Sequence, residues 1–407
     1  MQQIQFRLAI LALMVGAVVL FVGGGARFAI SLTLKPIDAE FDSGRSLVGE
    51  AVLAFQIVSA VAMLFAGRLA DRYDLRVVLG GGAFIAAAGL AAVAVVETPI
   101  QLVIFYGVVF GLGTGIASLI PVGVLVTRIF PKHIGMANAF VIMGMGLGQF
   151  VMMAIFTVLL TDSGWRLIYV ILGLIHAVLI AVIFFGIGRA VAAPPDRSGG
   201  DSSLEPPSSV AGLDLHEAAR TSRFWILLAV YAICGFHDFF VTTHIVAFAQ
   251  DRGGSAALAG HLLALMGVTM LVGVLAAGWS SDRIGPVIPT LIAFVLRIGL
   301  FAAVLWSDST IAVVVFALLC GATLLVTAPL CVVFTRNAFG MRNLGLISGL
   351  ITMVHHIAGG FGAWLAAVWF DTDGNYDAIL WVMLITSVIG SILTLLIKRD
   401  CNPGTSS

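Results

Sequence analysis

The sequence predicts an all-α membrane protein, twelve transmembrane helices arranged as two pseudo-symmetric halves of six. Three observations lead there. Of 407 residues, 60% are hydrophobic and 10% charged, where a soluble chain carries roughly a quarter charged residues; the mean hydropathy is +1.10. The apolar residues fall in twelve blocks, each long enough to cross about 30 Å of hydrocarbon as a helix. One long hydrophilic stretch divides those blocks six and six, and short motifs recur on either side of it.

The first six spans are expected at 8–33, 47–67, 77–96, 100–127, 134–160 and 165–188. The start, MQQIQFRLAIL, has no small-residue cleavage site behind its apolar run, so it reads as a first span and not as a removed signal. The hydrophilic stretch, Gly188 to Arg223, is rich in Pro, Gly and Ser and reads as a flexible connection. Its end, Leu213 to Ser222, suits a short amphipathic helix on the membrane face. Spans seven to twelve are expected at 224–249, 256–280, 286–306, 309–335, 344–369 and 378–397. The domain reading is therefore an N-terminal bundle 1–188, a cytoplasmic linker 189–222 and a C-terminal bundle 223–407.

Orientation follows from the basic residues. With the N-terminus inside, the inner side holds Arg7, Arg68, Arg72, Arg76, Arg128, Lys132, Arg189, Arg197, Arg220, Arg223, Arg283, Arg336, Arg342, Lys398 and Arg399. The outer side holds Lys35, Arg45, Arg166 and Arg252, so fifteen stand against four. Both termini are then cytoplasmic.

Several function classes drop out. The 21 basic and 21 acidic residues balance, which excludes a nucleic-acid or polybasic lipid-surface reading. Cys234, Cys320 and Cys331 lie in apolar blocks, Cys401 lies in the tail, and no pair has metal-ligand spacing; they read as small buried hydrophobes. No phosphate-binding G-x-x-x-x-G-K-[ST] loop occurs, and no nucleophile stands with a base. The chain is therefore not expected to be an enzyme, nor to hold a metal or cofactor; coupling to an ion gradient is the default.

The halves repeat. GRLADRYDLR, Gly67 to Arg76, follows the second span, and GWSSDRIGP, Gly278 to Pro286, follows the eighth. Asp71 and Asp282 are 211 residues apart, and RIFPKHIGMANAF (128–140) is echoed by RNAFGMRNLGLISG (336–349) at a similar offset. Two matches at one period indicate a duplicated six-helix unit. Gly111, Gly113 and Gly115, then Gly144, Gly146 and Gly148, suit close helix approach in lipid. Pro121 can loosen the fourth span.

In these loops the sequence resembles the major facilitator superfamily. Gly67-x-x-x-Asp71-Arg72 and Gly278-x-x-x-Asp282-Arg283 match that superfamily's signature between helices. The first copy has Asp74 where a glycine is usual, and the second keeps Gly285. The resemblance implies that Gly67, Asp71, Arg72, Gly278, Asp282 and Arg283 belong to gating loops. Within the superfamily the chain is similar to the monocarboxylate-porter and oxalate/formate-antiporter group. FAISLTLKPIDAEF (28–41), GLGTGIASLIPVGVLVTRIFPKHIGMANAFVIMGMGLGQ (111–149), GWR (164–166) and GLISGLITMVHHIAGGFGAWL (345–365) carry that similarity. One position departs: Val274 stands about where the group often has a carboxylate-holding arginine.

Arg297 lies in IPTLIAFVLRIGLFAAVLW, about eleven residues or ~16 Å from the inner end of its span. A charge at that depth costs several kcal/mol unless it faces a polar interior and finds a partner. Asp238, in CGFHDFFVTTH, is the carboxylate at comparable depth. Its pairing with Arg297 reads equally as structural or as opening when substrate or proton binds. His237 and His244 share one face of the seventh span, His355 and His356 lie mid-way along the eleventh, and His261 lies in the outer half of the eighth. Histidines beside a deep carboxylate suit a proton relay, whereas His176 reads as structural. Arg27, eight residues before Lys35, either snorkels outward or lures an anion into the central cavity; the family resemblance favours the cavity.

The expected roles are substrate binding for Arg27, Arg297, His355 and His356, and proton coupling for Asp238, His237 and His244. The expected activity is secondary transport of small organic anions, chiefly monocarboxylates, with protons, by a monomer in a bacterial inner membrane. The alternative is a proton-driven exporter of amphiphilic drugs or metabolites.

Overall fold

The computed structural model describes the backbone of residues 2–130, 134–188 and 212–400, and the side chains of 9–130, 137–188 and 212–397. Most of the expected linker (189–211), the Pro131–His133 part of the second echo, and Cys401 lie outside the described residues, as do the side chains of Arg7, Lys132, Arg189, Arg197, Lys398 and Arg399.

Twelve helices among the described residues are long and apolar enough to cross a membrane. They are α1 (Ala9–Phe41), α2 (Ser46–Arg72), α3 (Leu75–Val93), α4 (Pro99–Ile129), α5 (Ala137–Ser163), α6 (Trp165–Gly186), α7 (Ser222–Asp251), α8 (Ala256–Ile284), α9 (Val287–Trp306), α10 (Thr310–Phe339), α11 (Leu344–Asp373) and α12 (Asp377–Ile397). Helices form here because lipid offers no partner for a free N–H or C=O, so each span must satisfy its own backbone. Side chains start the connections: Thr221, Ser255 and Ser309 accept from the first-turn amides of α7, α8 and α10. The helix expected near 213–222 is shorter, Leu215–Ala219, with an Asp214–Glu217 capping box.

Three spans are interrupted, and the interruptions matter more than the regular turns. α1 loosens at Arg27 and Phe28, one residue after the run Gly23, Gly24 and Gly25. α4 carries a π-helical stretch, Val103–Phe110, and breaks at Ala117–Ser118 before restarting at Leu119. α10 breaks after Thr323, where Leu325 takes a left-handed φ of 55°, and restarts at Thr327. Prolines follow the last two breaks, Pro121 and Pro329, separated by 329 − 121 = 208 residues. That offset is close to the 211 of the loop motifs, so the breaks occupy equivalent places in the two halves.

Glycine sets the spacing where backbones meet. A Cβ at Gly148 of α5 would lie 2.0 Å from the Phe21 carbonyl of α1, and one at Gly235 of α7 would lie 1.9 Å from the His355 carbonyl of α11. Only a residue without a side chain permits those approaches. The halves meet along α2 with α11, α5 with α8, and α1 with α7.

One end of the bundle is latched. Arg45, after α1, donates from Nη1 to the Tyr376 hydroxyl (2.5 Å) and pairs with Asp251 at 2.7 Å. Lys35 also reaches Asp251, at 2.7 Å. The backbone amides of Arg45 and Ser46 donate to the Asp371 carboxylate at 2.7 and 2.8 Å. A carboxylate of one half thus caps the N-terminus of α2 in the other. Gly44 makes room for it: its φ is +74°, and a Cβ there would lie 2.4 Å from Asp371 Oδ2. Toward the opposite end a surface groove of about 410 Å³ runs along Phe65, Arg68, Leu69, Arg72 and Tyr73, at the end of α2.

Candidate functional site

The two deep arginines lie on either side of the mid-membrane seam between the halves, in unlike surroundings. Arg297 of α9 is 2% exposed, so its guanidinium must find acceptors within the protein. Nη2 pairs with Asp238 Oδ1 of α7 at 2.5 Å. Nε donates to Thr323 Oγ1 at 2.9 Å, and Nη2 also to the Thr323 carbonyl at 3.1 Å. That carbonyl is free to accept because α10 breaks immediately after it. The broken helix therefore supplies an acceptor that a continuous helix would have used internally.

Arg27 is held differently. Its helix loosens at that point, and its own carbonyl accepts from Tyr106 of α4 at 2.9 Å. The guanidinium lies 4.9 Å from the centre of the Phe28 ring. Among the described residues it forms no ion pair, and its Nε is buried without a hydrogen-bond partner. It lines a cavity of about 20 Å³ with Gln56 of α2, Tyr106 of α4, and Phe239, Thr242 and Thr243 of α7. That volume holds about one water molecule. The side chain does not run to the membrane surface: it sits on the wall between the two halves.

His355 and His356 bring α11 to the same place. His356 Nδ1 lies 3.3 Å from Gln56 Oε1, a cavity-lining residue, and so joins the two halves. His355 Nδ1 lies 3.2 Å from the Tyr231 carbonyl, and its Nε2 lies 3.9 Å from Asp238 Oδ2. The other two α7 histidines are placed elsewhere. His237 Nε2 meets Thr386 Oγ1 of α12 at 2.8 Å, amid Phe294 and Phe301. His244 lies between the Ala363 carbonyl and the Tyr376 hydroxyl, at 2.8 and 2.9 Å. Through Tyr376 it adjoins Arg45 at the latched end. His261 is exposed and bonded to its own helix, apart from this group. His176 is buried and donates to Leu172 O at 2.8 Å.

The two loop motifs lie at the end opposite the latch, after α2 and α8. Gly67 allows Ile120 of α4 within 3.3 Å of where its Cβ would be, while Gly278 faces open space. Asp71, Arg72, Asp282 and Arg283 are exposed, and Arg283 lies 3.9 Å from the Trp279 ring centre. Arg128 of α4 donates to the Ala70 carbonyl at 2.8 Å, near the end of α2. Asp74, at the position where the motif usually has glycine, caps α3 through the Arg76 amide at 2.8 Å. The Arg76 side chain beside it holds its carboxyl below the usual carboxylate range. The GWR triplet is a strut: Trp165 Nε1 donates to Glu40 Oε2 at 2.7 Å, and Arg166 pairs with the same carboxylate.

Sequence reading missed Gln56, Tyr106 and Thr323, and the latch of Arg45, Asp251, Asp371 and Tyr376. Gln56 left a signal, a lone amide inside the apolar run AVLAFQIVSAV. The others left none, since each works through a partner 26 to 331 residues away.

Comparison with known proteins agrees with this architecture. The sequence model of the Major Facilitator Superfamily matches residues 16–363 and 231–406. The chain is 23% identical over 377 residues to the uncharacterized MFS-type transporter YcxA of Bacillus subtilis (strain 168), covering 91% of this chain and 90% of that one. It is 24% identical to monocarboxylate transporter 13 of Rattus norvegicus, over 76% of this chain and 70% of the relative. Among solved structures, a bacterial homolog of the human lysosomal transporter Spinster, inward-facing and unoccupied, superposes with a TM-score of 0.77. It is 14% identical, and the match covers 98% of this chain and 99% of that one. Twelve spans in two repeated halves, paired loop motifs and the family match lead to one conclusion: this chain is a transporter of the major facilitator superfamily.

Proposed function

We propose that the chain carries small organic anions of the monocarboxylate class across the membrane with protons, by alternating access. The observation that carries this reading is Arg27. Its guanidinium lines the cavity between the halves without a carboxylate partner among the described residues, whereas Arg297 and Arg45 each have one. An unneutralised cation at that depth is costly, and a carboxylate arriving from solution supplies the missing charge and acceptors. The apolar part of the lining, with Val52, Phe55 and Phe239, suits an apolar body. Gln56 and His356 offer further polar contacts, and the Arg297–Asp238 pair with its histidines is the coupling element.

With the N-terminus inside, as the basic residues favour, the latched end faces outward and the end with the loop motifs faces the cytoplasm of a bacterial inner membrane. The units that rock are 1–188 and 223–407, joined by the cytoplasmic linker 189–222, and the chain works as a monomer. Release of Asp251 and Asp371 from Arg45, Lys35 and the α2 amides would open the outer side, and closure of the 67–72 and 278–283 loops would seal the inner one.

Counterflow in proteoliposomes with labelled lactate, pyruvate, oxalate and a hydrophobic cation tests the reading. Exchange of a monocarboxylate is expected; exchange of the cation alone would replace it with amphiphile export. Cysteines placed at Asp282 and Asp373 test the orientation, with labelling expected from the inside and the outside respectively. Labelling of both from one face of intact cells would overturn it.

A further inference from the structure

We infer that the proton site is the gap between His355 Nε2 and Asp238 Oδ2, and that His237 and His244 remain neutral fittings of the fold. The proposal deepens the transport reading above, and its coupling half rests on that reading.

The argument is one of donors and acceptors. The Tyr231 carbonyl can only accept, so the His355 nitrogen 3.2 Å from it, Nδ1, carries the hydrogen. The neutral ring then turns a bare Nε2 toward Asp238 Oδ2 at 3.9 Å. Both atoms are acceptors, and both side chains are buried, at 8% and 7% exposure. Two acceptor lone pairs facing each other lack the hydrogen that would join them. One proton on Nε2 supplies it, converting two acceptors into an imidazolium–carboxylate hydrogen bond. The remaining acceptor capacity of Asp238 is directed elsewhere, Oδ1 to Arg297 and Oδ2 weakly to the Cys234 thiol at 3.6 Å. Gly235 sets the gap, because only a glycine lets the His355 backbone approach α7 so closely.

The other histidines lack this arrangement. His244 is complete as a neutral ring: Nε2–H donates to the Ala363 carbonyl, and Nδ1 accepts from Tyr376. His237 donates from Nε2 to Thr386 Oγ1, whose own hydrogen goes to the Val382 carbonyl at 2.6 Å. Its Nδ1 has no partner, and no carboxylate among the described residues lies within ion-pair distance. Cys234 Sγ, Asp238 Oδ2 and His355 Nε2 also lie within 4.8 Å of one another, a spacing that could suit a metal ion. The Arg297 guanidinium, 3.8 Å from Sγ and bonded to Asp238, would oppose a divalent cation there while tolerating a proton on the far side of the carboxylate.

The groups facing His355 explain how proton and anion are linked. They are Asp238, Tyr231 and Cys234 of α7, Arg297 of α9, Arg27 of α1 and His356 on its own helix. An anion on Arg27 cancels a positive charge that acts on His355, so anion and proton each tighten the binding of the other. Such reciprocity produces symport.

Two measurements on the full chain decide it. In ¹⁵N-histidine NMR, with peaks assigned by His355→Gln, His355 should show the Nδ1–H tautomer when neutral and be the first of these rings to become doubly protonated. A first proton on His237 or His244, or an Nε2–H tautomer at His355, would overturn the proposal; neither result depends on knowing the substrate. In proteoliposomes, the ratio of pH-gradient-driven lactate accumulation to lactate counterflow should fall about fivefold or more in His355→Gln. His237→Gln and His244→Gln should retain it. Gradient-driven accumulation surviving in His355→Gln would again overturn the proposal. If wild-type protein exchanges none of lactate, pyruvate and oxalate, the anion reading fails by itself, and the tautomer measurement alone decides the proton site.

Discussion

Arg27 and Arg297 are the same residue within spans of opposite halves, and their surroundings could hardly differ more. Arg297 has a carboxylate, a hydroxyl and a carbonyl for its donors, all from the C-terminal half. Arg27 has an aromatic face, a cavity and an unbonded Nε. The first arrangement is closed, so the charge is already spent inside the fold. The second is open at the seam between the halves, with a guanidinium nitrogen left unbonded. Burial of a charge therefore says little by itself about function; the count of acceptors left over says much more.

The comparison breaks most sharply at the closed pair. Asp238→Ala or Arg297→Ala leaves one uncompensated buried charge and should cost about 3–5 kcal/mol, while the double mutant should recover folded protein. Thermal stability in detergent, read as a double-mutant cycle, checks this; additive losses would show that the two residues do not act as a pair. Transport by the recovered double mutant then separates a structural pair from a coupling one, since a coupling pair predicts stable protein without proton-driven accumulation.

Making Arg27 resemble Arg297 is the complementary change. Gln56→Glu places a carboxylate on the same cavity wall and should satisfy Arg27 from within. Anion affinity is expected to fall about 100-fold, the loss of two or three kcal/mol of charged hydrogen bonding, with stability held or raised. Undiminished affinity in counterflow would remove Arg27 from the anion site.

Arg27→Gln is gentler, because it removes a charge that the fold itself does not use. KM for the anion should rise about tenfold, with little change in melting temperature. A large stability loss instead would mean that Arg27 is a structural group like Arg297.

The smallest effect is expected at Asp74, an ion pair of the same chemistry near the surface. Asp74→Asn keeps a cap on α3 and loses only the charge interaction with Arg76, about 0.5 kcal/mol or less. Because the folded carboxyl is held below its usual range, that contribution is present above the ordinary carboxylate pKa and fades as pH falls through the lowered value. High salt should erase it, whereas the Arg297 pair should be nearly indifferent to salt.

Much of this architecture is legible in the residue order. Hydropathy alone marks the spans because lipid forces each crossing segment to satisfy its backbone internally, so length and apolarity suffice. The ends were harder: α1 continues to Phe41 and α10 to Phe339, past the apolar blocks 8–33 and 309–335. Polar residues such as Lys35 and Arg336 extend the helices beyond the hydrocarbon region, and hydropathy does not register them. A deep arginine and a deep aspartate also stand out by type, since so few ionisable residues lie within the spans.

What the sequence determined by itself was therefore the solvent: a membrane, twelve helices, a duplication, and which charges are anomalous within it. The tertiary structure decided which anomalous charges are already satisfied. Asp238 with Arg297, Gln56 with His356, and Arg45 with Tyr376 are separated by 59, 300 and 331 residues. A hydrogen bond is directional and acts over about 3 Å, so its existence depends on where helices pack and where α1 and α10 break. Hydropathy is a property of each segment in its solvent and can be read in one dimension. Satisfaction of a buried donor belongs to pairs of segments, and exists only once the fold has brought them together.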